Sequence, residues 1–301
     1  LDQAVNLTDL SGTVVFDNAG AVSATQQFSG LYPDPDSSTY GIRLVKELGA
    51  DATVAFTNAA SGAIATAASN AIMINDFNGA NDNVSFANNG TISATEDNAV
   101  DLSDSTVSSI SNDGIIVAGG NYALLLDGVS SESMVLSNLG VIMAGTTKVG
   151  NAPAAIHGEL AASVNAISIT NGASSSISSV GNVLANGDAN SGGTIFLDAT
   201  VASFTLNNSG LIIAGSEATA SASAVEGNNA IRIADIGANA VSITNAASGN
   251  IKALGDTAIY LQGDSADITE FTLSNSGEIA ADNDLIVLEN VNGAVTRITN
   301  S

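Results

Sequence analysis

His157 is the one side chain here suited to moving protons at neutral pH, since it is the only His and there is no Cys. It lies in Ala155-Ile156-His157-Gly158, where apolar–polar alternation turns Ile156 inward and His157 outward. No Ser or Asp stands at a spacing that assigns it to a nucleophilic relay, so the expectation is an exposed, neutral histidine. Gly158 occupies a position where similar segments carry an inward Leu, which points to a locally distorted strand. Polysaccharide chemistry on a strand face needs paired carboxylates, a base and flat apolar platforms. The outward bases of that strand type are Arg43 and Arg232, too far apart to cooperate, and its outward aromatics are Phe196 and Tyr260. Asp76 and Asp104 each follow an inward aliphatic residue, Ile74 and Leu102, by two positions, and Asp127 follows one unit further on, slightly offset. Stacked, these three carboxylates would repel, and calcium would relieve the repulsion, with further oxygens from segment 75–83. A solvated acidic corner is the competing and preferred reading. No cofactor is required, and calcium is the one ligand this cluster invites.

Apolar residues at outward positions carry more information. Ile115 and Val117, Val141 and Met143, and Leu211 and Ile213 occupy strand positions that elsewhere hold mostly Ala, Ser, Thr, Glu or Lys. Leu125 and Phe196 are outward on a neighbouring strand type. Together they would form an exposed strip, unusual on a monomer and suited to contact with another copy or a surface partner. The alternative is that long insertions fold over it.

Composition narrows the field. The chain of 301 residues has 6 Lys and Arg against 30 Asp and Glu, a formal net charge of −24, and no Cys or Trp. A disulfide scaffold or zinc-thiolate site cannot be built without Cys. A nucleic-acid partner is excluded by the charge balance. No run is long and apolar enough for a transmembrane helix. A hydrophobic fraction of 45% and a mean hydropathy of +0.29 are too apolar for a disordered chain.

The elements that must position these residues come from a repeat. An Asn preceded by alternating apolar residues recurs at Asn18, Asn58, Asn88, Asn112, Asn138, Asn171, Asn208, Asn245, Asn275 and Asn300, at spacings of 24 to 40 residues. Each unit reads as three short strands. The first ends in the Asn, as in Val84-Ser85-Phe86-Ala87-Asn88; the second starts at Gly, as in Gly90-Thr91-Ile92-Ser93-Ala94; the third reads Ala-Ile-x-Leu, as in Ala258-Ile259-Tyr260-Leu261. One unit cannot bury its apolar face, whereas stacked units enclose a narrow core of small and β-branched residues. The inward Asn residues then form a ladder of amides, and the Gly of the N-x-G turn is expected to supply a positive φ. Period-two alternation and the Gly and Asn content exclude helical repeats.

The predicted fold is all-β: a right-handed, three-sided parallel β-solenoid of about nine rungs. Residues 1–13 read as an N-terminal cap and 14–301 as one solenoid domain ending mid-rung. The most variable corners, at Thr25–Tyr40, Gly145–Pro153, Val180–Gly193 and Gly215–Asn229, are candidates for a working face. The last segment, with Ile298 and Asn300, begins a rung and stops, which leaves a backbone edge for end-to-end stacking.

Asn208-Ser209-Gly210-Leu211-Ile212 and Asn275-Ser276-Gly277-Glu278-Ile279, with the short Ala-Ile-x-Leu strands, resemble the passenger regions of bacterial autotransporters and related surface β-solenoids. The resemblance runs from about Val14 to Ser301. It implies export to the bacterial cell surface, or secretion, through an outer-membrane barrel that lies outside this chain. Protease passengers carry a Gly-Asp-Ser-Gly nucleophile that is absent here. The expected function is therefore non-enzymatic: a rigid exported structural or adhesion protein that self-associates, end to end and laterally, into filaments or a surface assembly. Its partners would be copies of itself and surface or matrix glycans. A carbohydrate-binding or carbohydrate-degrading β-helix and a passive stalk are the alternatives.

Overall fold

The computed structural model describes residues 4–24, 40–46, 50–67, 69–145, 154–161, 164–180, 193–198, 201–215, 229–236, 240–263, 268–291 and 295–301. Described residues form strands, turns and loops, with no helix among them. The strands build three parallel sheets. Sheet 1 has ten strands, from Val5–Leu10 to Ile286–Glu289. Sheet 2 also has ten, from Gly12–Asn18 to Val295–Asn300, and sheet 3 has nine, from Ala21–Ala24 to Glu278–Ala281. Successive strands of one sheet are three apart in the chain, so the backbone visits sheets 1, 2 and 3 in turn and then begins the next rung. This is the three-sided solenoid that the repeat predicts, with ten rungs rather than about nine. The difference arises at both ends. Residues 1–13, read from sequence as a cap, supply Val5–Leu10 and the start of Gly12–Asn18, which pair with the second rung through Val5↔Ile42 and Val14↔Val54. Ile286–Glu289 and Val295–Asn300 pair with the ninth rung.

Register explains the core. On sheet 3, Ile64, Ile92, Ile116, Ile142, Ile177, Ile212 and Ile251 are consecutive partners, all fully buried. On sheet 1 the matching column is Ile72, Val100, Leu124, Ile156, Ile195, Ile231 and Ile259. On sheet 2, Phe16, Phe56 and Phe86 stack face to face, with centroids 5.1 and 5.0 Å apart. A slip of one residue would turn a whole column outward, so the register is strongly specified. Each fully buried Ile or Phe contributes about 1.5–3 kcal/mol relative to exposure.

The asparagines form one continuous ladder. Each Nδ2 donates to the Oδ1 of the Asn one rung on, from Asn18 through to Asn300, over nine bonds of 2.7–2.9 Å. The second amide hydrogen is directed at turn backbone: Asn88 Nδ2 reaches Gly90 O at 3.2 Å and Ile115 O at 3.2 Å. Side chains that would be costly to bury alone thus satisfy one another.

The corner glycines are needed for a different reason from the one expected. Gly90, Gly114, Gly140, Gly210 and Gly277 do not have positive φ. A Cβ on Gly114 would instead run into the carbonyl of Gly90, and one on Gly140 into that of Gly114. Close approach of stacked backbones selects Gly there. Positive φ occurs instead towards the end of sheet 1 strands and at the corner after them, at Asp9 (57°), Asp76 (70°), Asp104 (53°), Gly128 (65°) and Asn290 (54°), and after sheet 3, at Gly145 (80°), Gly215 (87°) and Gly255 (123°).

Candidate functional site

Sheet 1 carries the sequence-predicted chemistry on its outer side. Leu125, His157, Phe196, Arg232 and Tyr260 are successive register partners and form one outward column. The alternation assigned their side correctly, but not their exposure. His157 is only 8% exposed, its ring stacked on Tyr122 at 4.1 Å and on Phe196 at 4.9 Å. The Arg232 guanidinium continues the stack, 5.7 Å from the Phe196 centroid and 5.0 Å from that of Tyr260. The Tyr260 hydroxyl donates to Glu289 Oε2 at 2.7 Å. Burial depresses the His157 pKa to about 4, outweighing the pull of the nearby Glu159 carboxylate. The imidazole is therefore neutral at pH 7. Asp127 Oδ1 stands 3.6 Å from its Nε2, too far for a hydrogen bond. His157 is thus a neutral plate within an aromatic column, not the exposed histidine expected. At Gly158 a Cβ would meet Leu160 at 3.0 Å and Leu126 and Leu197 at 3.3 Å, so neighbouring leucines fill the place of the missing inward side chain.

The predicted cation corner resolves into separate roles. Asp76 and Asp104 are exposed and occupy the left-handed corner, a conformation that Asp tolerates better than most residues. Asp127 sits one register position earlier, opposite Glu159, whose backbone N–H donates to its Oδ1 at 3.0 Å. Partial burial, and then the charge of Asp104, raise its pKa. Asp82, counted among the loop oxygens, is fully committed elsewhere. Its carboxylate accepts the N–H of Ala52 at 2.7 Å and of Gly79 at 2.5 Å, and pairs with the Lys46 ammonium. Burial alone would raise its pKa; the hydrogen bonds from Lys46, Ala52 and Gly79 and the Lys46 charge hold it below the usual carboxylate range. Asp101, not singled out from the sequence, is buried on the outer side of sheet 1. It accepts hydrogen bonds from Asn70 Nδ2 at 2.9 Å and Ser103 Oγ at 2.6 Å, and burial raises its pKa. Among the described residues no three His, Asp or Glu side chains converge as a metal site.

The outward apolar residues separate into groups. On sheet 3, Ile115 pairs with Val141 and Val117 with Met143. The next rung presents Ser176 and Ser178, and only then come Leu211 and Ile213. The expected strip is therefore two patches with a serine rung between them, a rung that the sequence reading passed over. All six are open or half-open to solvent, with Ile115 at 43%. Leu125 is half-buried on sheet 1, and Phe196, at 7%, lies inside the aromatic column rather than at a surface. Ile298 and Asn300 are on the last strand of sheet 2, where Asn300 accepts the Asn275 amide at 2.7 Å. The sequence reading missed two exposed neighbours of the first patch, Val135 at 45% and Leu139 at 56%. Their signal was present, because neighbouring rungs carry Ser in register with Val135, and Asp113 and Gly172 at the position of Leu139. The long corner insertions lie outside the described residues, apart from their flanks.

Charge is segregated among the faces. Seven consecutive strands of sheet 2, from Ala52–Asn58 to Ala240–Asn245, contain no ionisable residue. Nor do six consecutive strands of sheet 3, from Ala63–Thr66 to Leu211–Ala214. Their outward positions are mostly Ser, Thr, Ala and aliphatic residues. Charge returns on sheet 3 only at Lys252 and Glu278, which pair with each other at 3.4 Å. Described acids instead gather on sheet 1 and at the corners. No helix is long and apolar enough to cross a membrane among the described residues. No family model matches the chain, and neither a curated protein nor a solved structure matches it.

Proposed function

We propose that this chain is a non-enzymatic, exported structural or adhesion protein whose solenoid is a rigid, self-associating unit of an extracellular filament or surface assembly. One observation carries the reading: a molecule of net charge −24 keeps two of its three faces free of ionisable residues across six rungs. Close packing between copies is opposed by like charge, and an uncharged face removes that opposition where contact is made. The in-register Ile columns and the amide ladder support rigidity, because bending would break many equivalent contacts at once. The resemblance to autotransporter passengers supports a bacterial cell-surface or secreted location. A carbohydrate-active face would need outward aromatics on sheet 1; of the two expected there, Phe196 is buried between His157 and Arg232, and half-buried Tyr260 has its hydroxyl bonded to Glu289.

Sedimentation velocity over a concentration and salt series tests the proposal. The expected result is reversible association that tightens as salt screens repulsion between the acidic sides. A single monomeric species at every concentration and ionic strength would overturn it.

A further inference from the structure

The solenoid does not account for its most exposed apolar residues. Among the described residues, large hydrophobic side chains that are strongly exposed occur on the first and last rungs and at one interior place: Ile115, Val135 and Leu139. They lie on the fourth and fifth rungs: Val135 within a sheet 2 strand, Leu139 at the corner into sheet 3, and Ile115 at the start of a sheet 3 strand. Their register partners show that the fold can do without them. Ile115 lies between Thr91 and Val141, and Val135 between Ser109 and Ser168. Leu139 follows its ladder Asn where the adjacent rungs have Asp113 and Gly172, and its backbone N–H bonds to Asn112 O at 2.8 Å just as that of Gly172 bonds to Asn138 O at 2.9 Å. Val117, Val141 and Met143, on the same two strands of sheet 3, extend this apolar surface, and Asp113 is the charge beside it at the corner.

We infer that this patch is the centre of an isologous contact, in which the neutral face of sheet 2 and its ridge meet the same surface of a second copy. The inference rests on the self-association proposed above and names the surface responsible. Area is consistent with it. Seven strands about 4.8 Å apart, of six or seven residues at about 3.3 Å each, present roughly 600 Å². Two copies would then bury roughly 1,200 Å² in total, the lower end of the range for specific complexes. A two-fold arrangement sets apolar patch against apolar patch and leaves the acids of sheet 1 on the outer sides of the pair. One group opposes it. Asp113 is exposed on the fourth rung, at the corner position next to Leu139. In a two-fold contact two Asp113 carboxylates approach each other, so the charge weakens the pair. A basic partner would gain from the same carboxylate, so its removal has opposite consequences for the two occupants.

The experiment is sedimentation equilibrium on the full chain and two variants. The first combines Ile115→Thr, Val135→Ser and Leu139→Ser, each the residue type of a strand or corner at the equivalent position of another rung, so the fold is retained and unchanged thermal unfolding verifies it. The second is Asp113→Asn, matching Asn89 on the preceding rung. The triple variant should weaken association at least about tenfold, and Asp113→Asn should tighten it several-fold. Equal association of the wild type and the triple variant would overturn this surface while leaving self-association standing. Weaker association of Asp113→Asn would overturn the two-fold contact. A wild type that never associates would remove both this inference and the function on which it rests.

Discussion

At the scale of single residues, His157 shows how far position and environment can diverge. Period-two alternation places it outward, and it is outward. What alternation cannot state is that Tyr122 and Phe196 close over its two ring faces. The consequence is a testable acid sensitivity. The folded pKa, about 4, is below the ordinary 6.5. Between these values the unfolded chain binds more protons than the folded one, so stability rises with pH through this window and falls as acid is added. The shift corresponds to roughly 3 kcal/mol lost between about pH 6.5 and 4. Asp101 and Asp127 act in the opposite sense: their raised pKa values mean that their ionised forms cost stability, a cost recovered on protonation. The difference between the wild type and His157→Phe isolates the imidazole. Urea unfolding at pH 7 and pH 4.5 should show the variant losing less stability than the wild type. An identical loss in both would show that His157 does not titrate as its burial requires.

At the scale of strands and corners, the sequence revealed the pattern more readily than its cause. The Asn repeat predicts a ladder, and the ladder runs unbroken from Asn18 to Asn300. The accompanying Gly was legible as a requirement, yet its reason lies in the backbone of the previous rung, 24 residues back for Gly114 and 38 for Gly210, which local turn chemistry does not contain. The apolar strip was misjudged in the same way, since the serine rung with Ser176 and Ser178 falls between its two parts. Ladder energetics belong to this scale. In Asn138→Ala one amide hydrogen of Asn112 loses its buried acceptor, while Asn171 Oδ1 loses one of two donors and keeps Ser175 Oγ at 2.7 Å. The expected cost is about 1–3 kcal/mol, because a buried amide hydrogen is left unpaired. Ser137→Ala, next in the chain but facing outward, should change stability by less than about 0.5 kcal/mol. Guanidinium unfolding of the two variants checks this, and equal costs would mean that the ladder contributes no more than a surface hydroxyl.

For the molecule as a whole, the architecture was legible because it is repeated: many weak period-two signals agree, and only stacking satisfies them together. Function was far less legible. The segregation of charge is invisible in the overall balance of −24 and emerges only when strands of one sheet are placed side by side. Small-angle X-ray scattering over rising protein concentration tests the central claim, that copies meet through their uncharged faces, most directly. Lateral pairing predicts a larger cross-sectional radius of gyration with the rod length unchanged. A constant cross-section, whether the rod stays single or only lengthens, would contradict it.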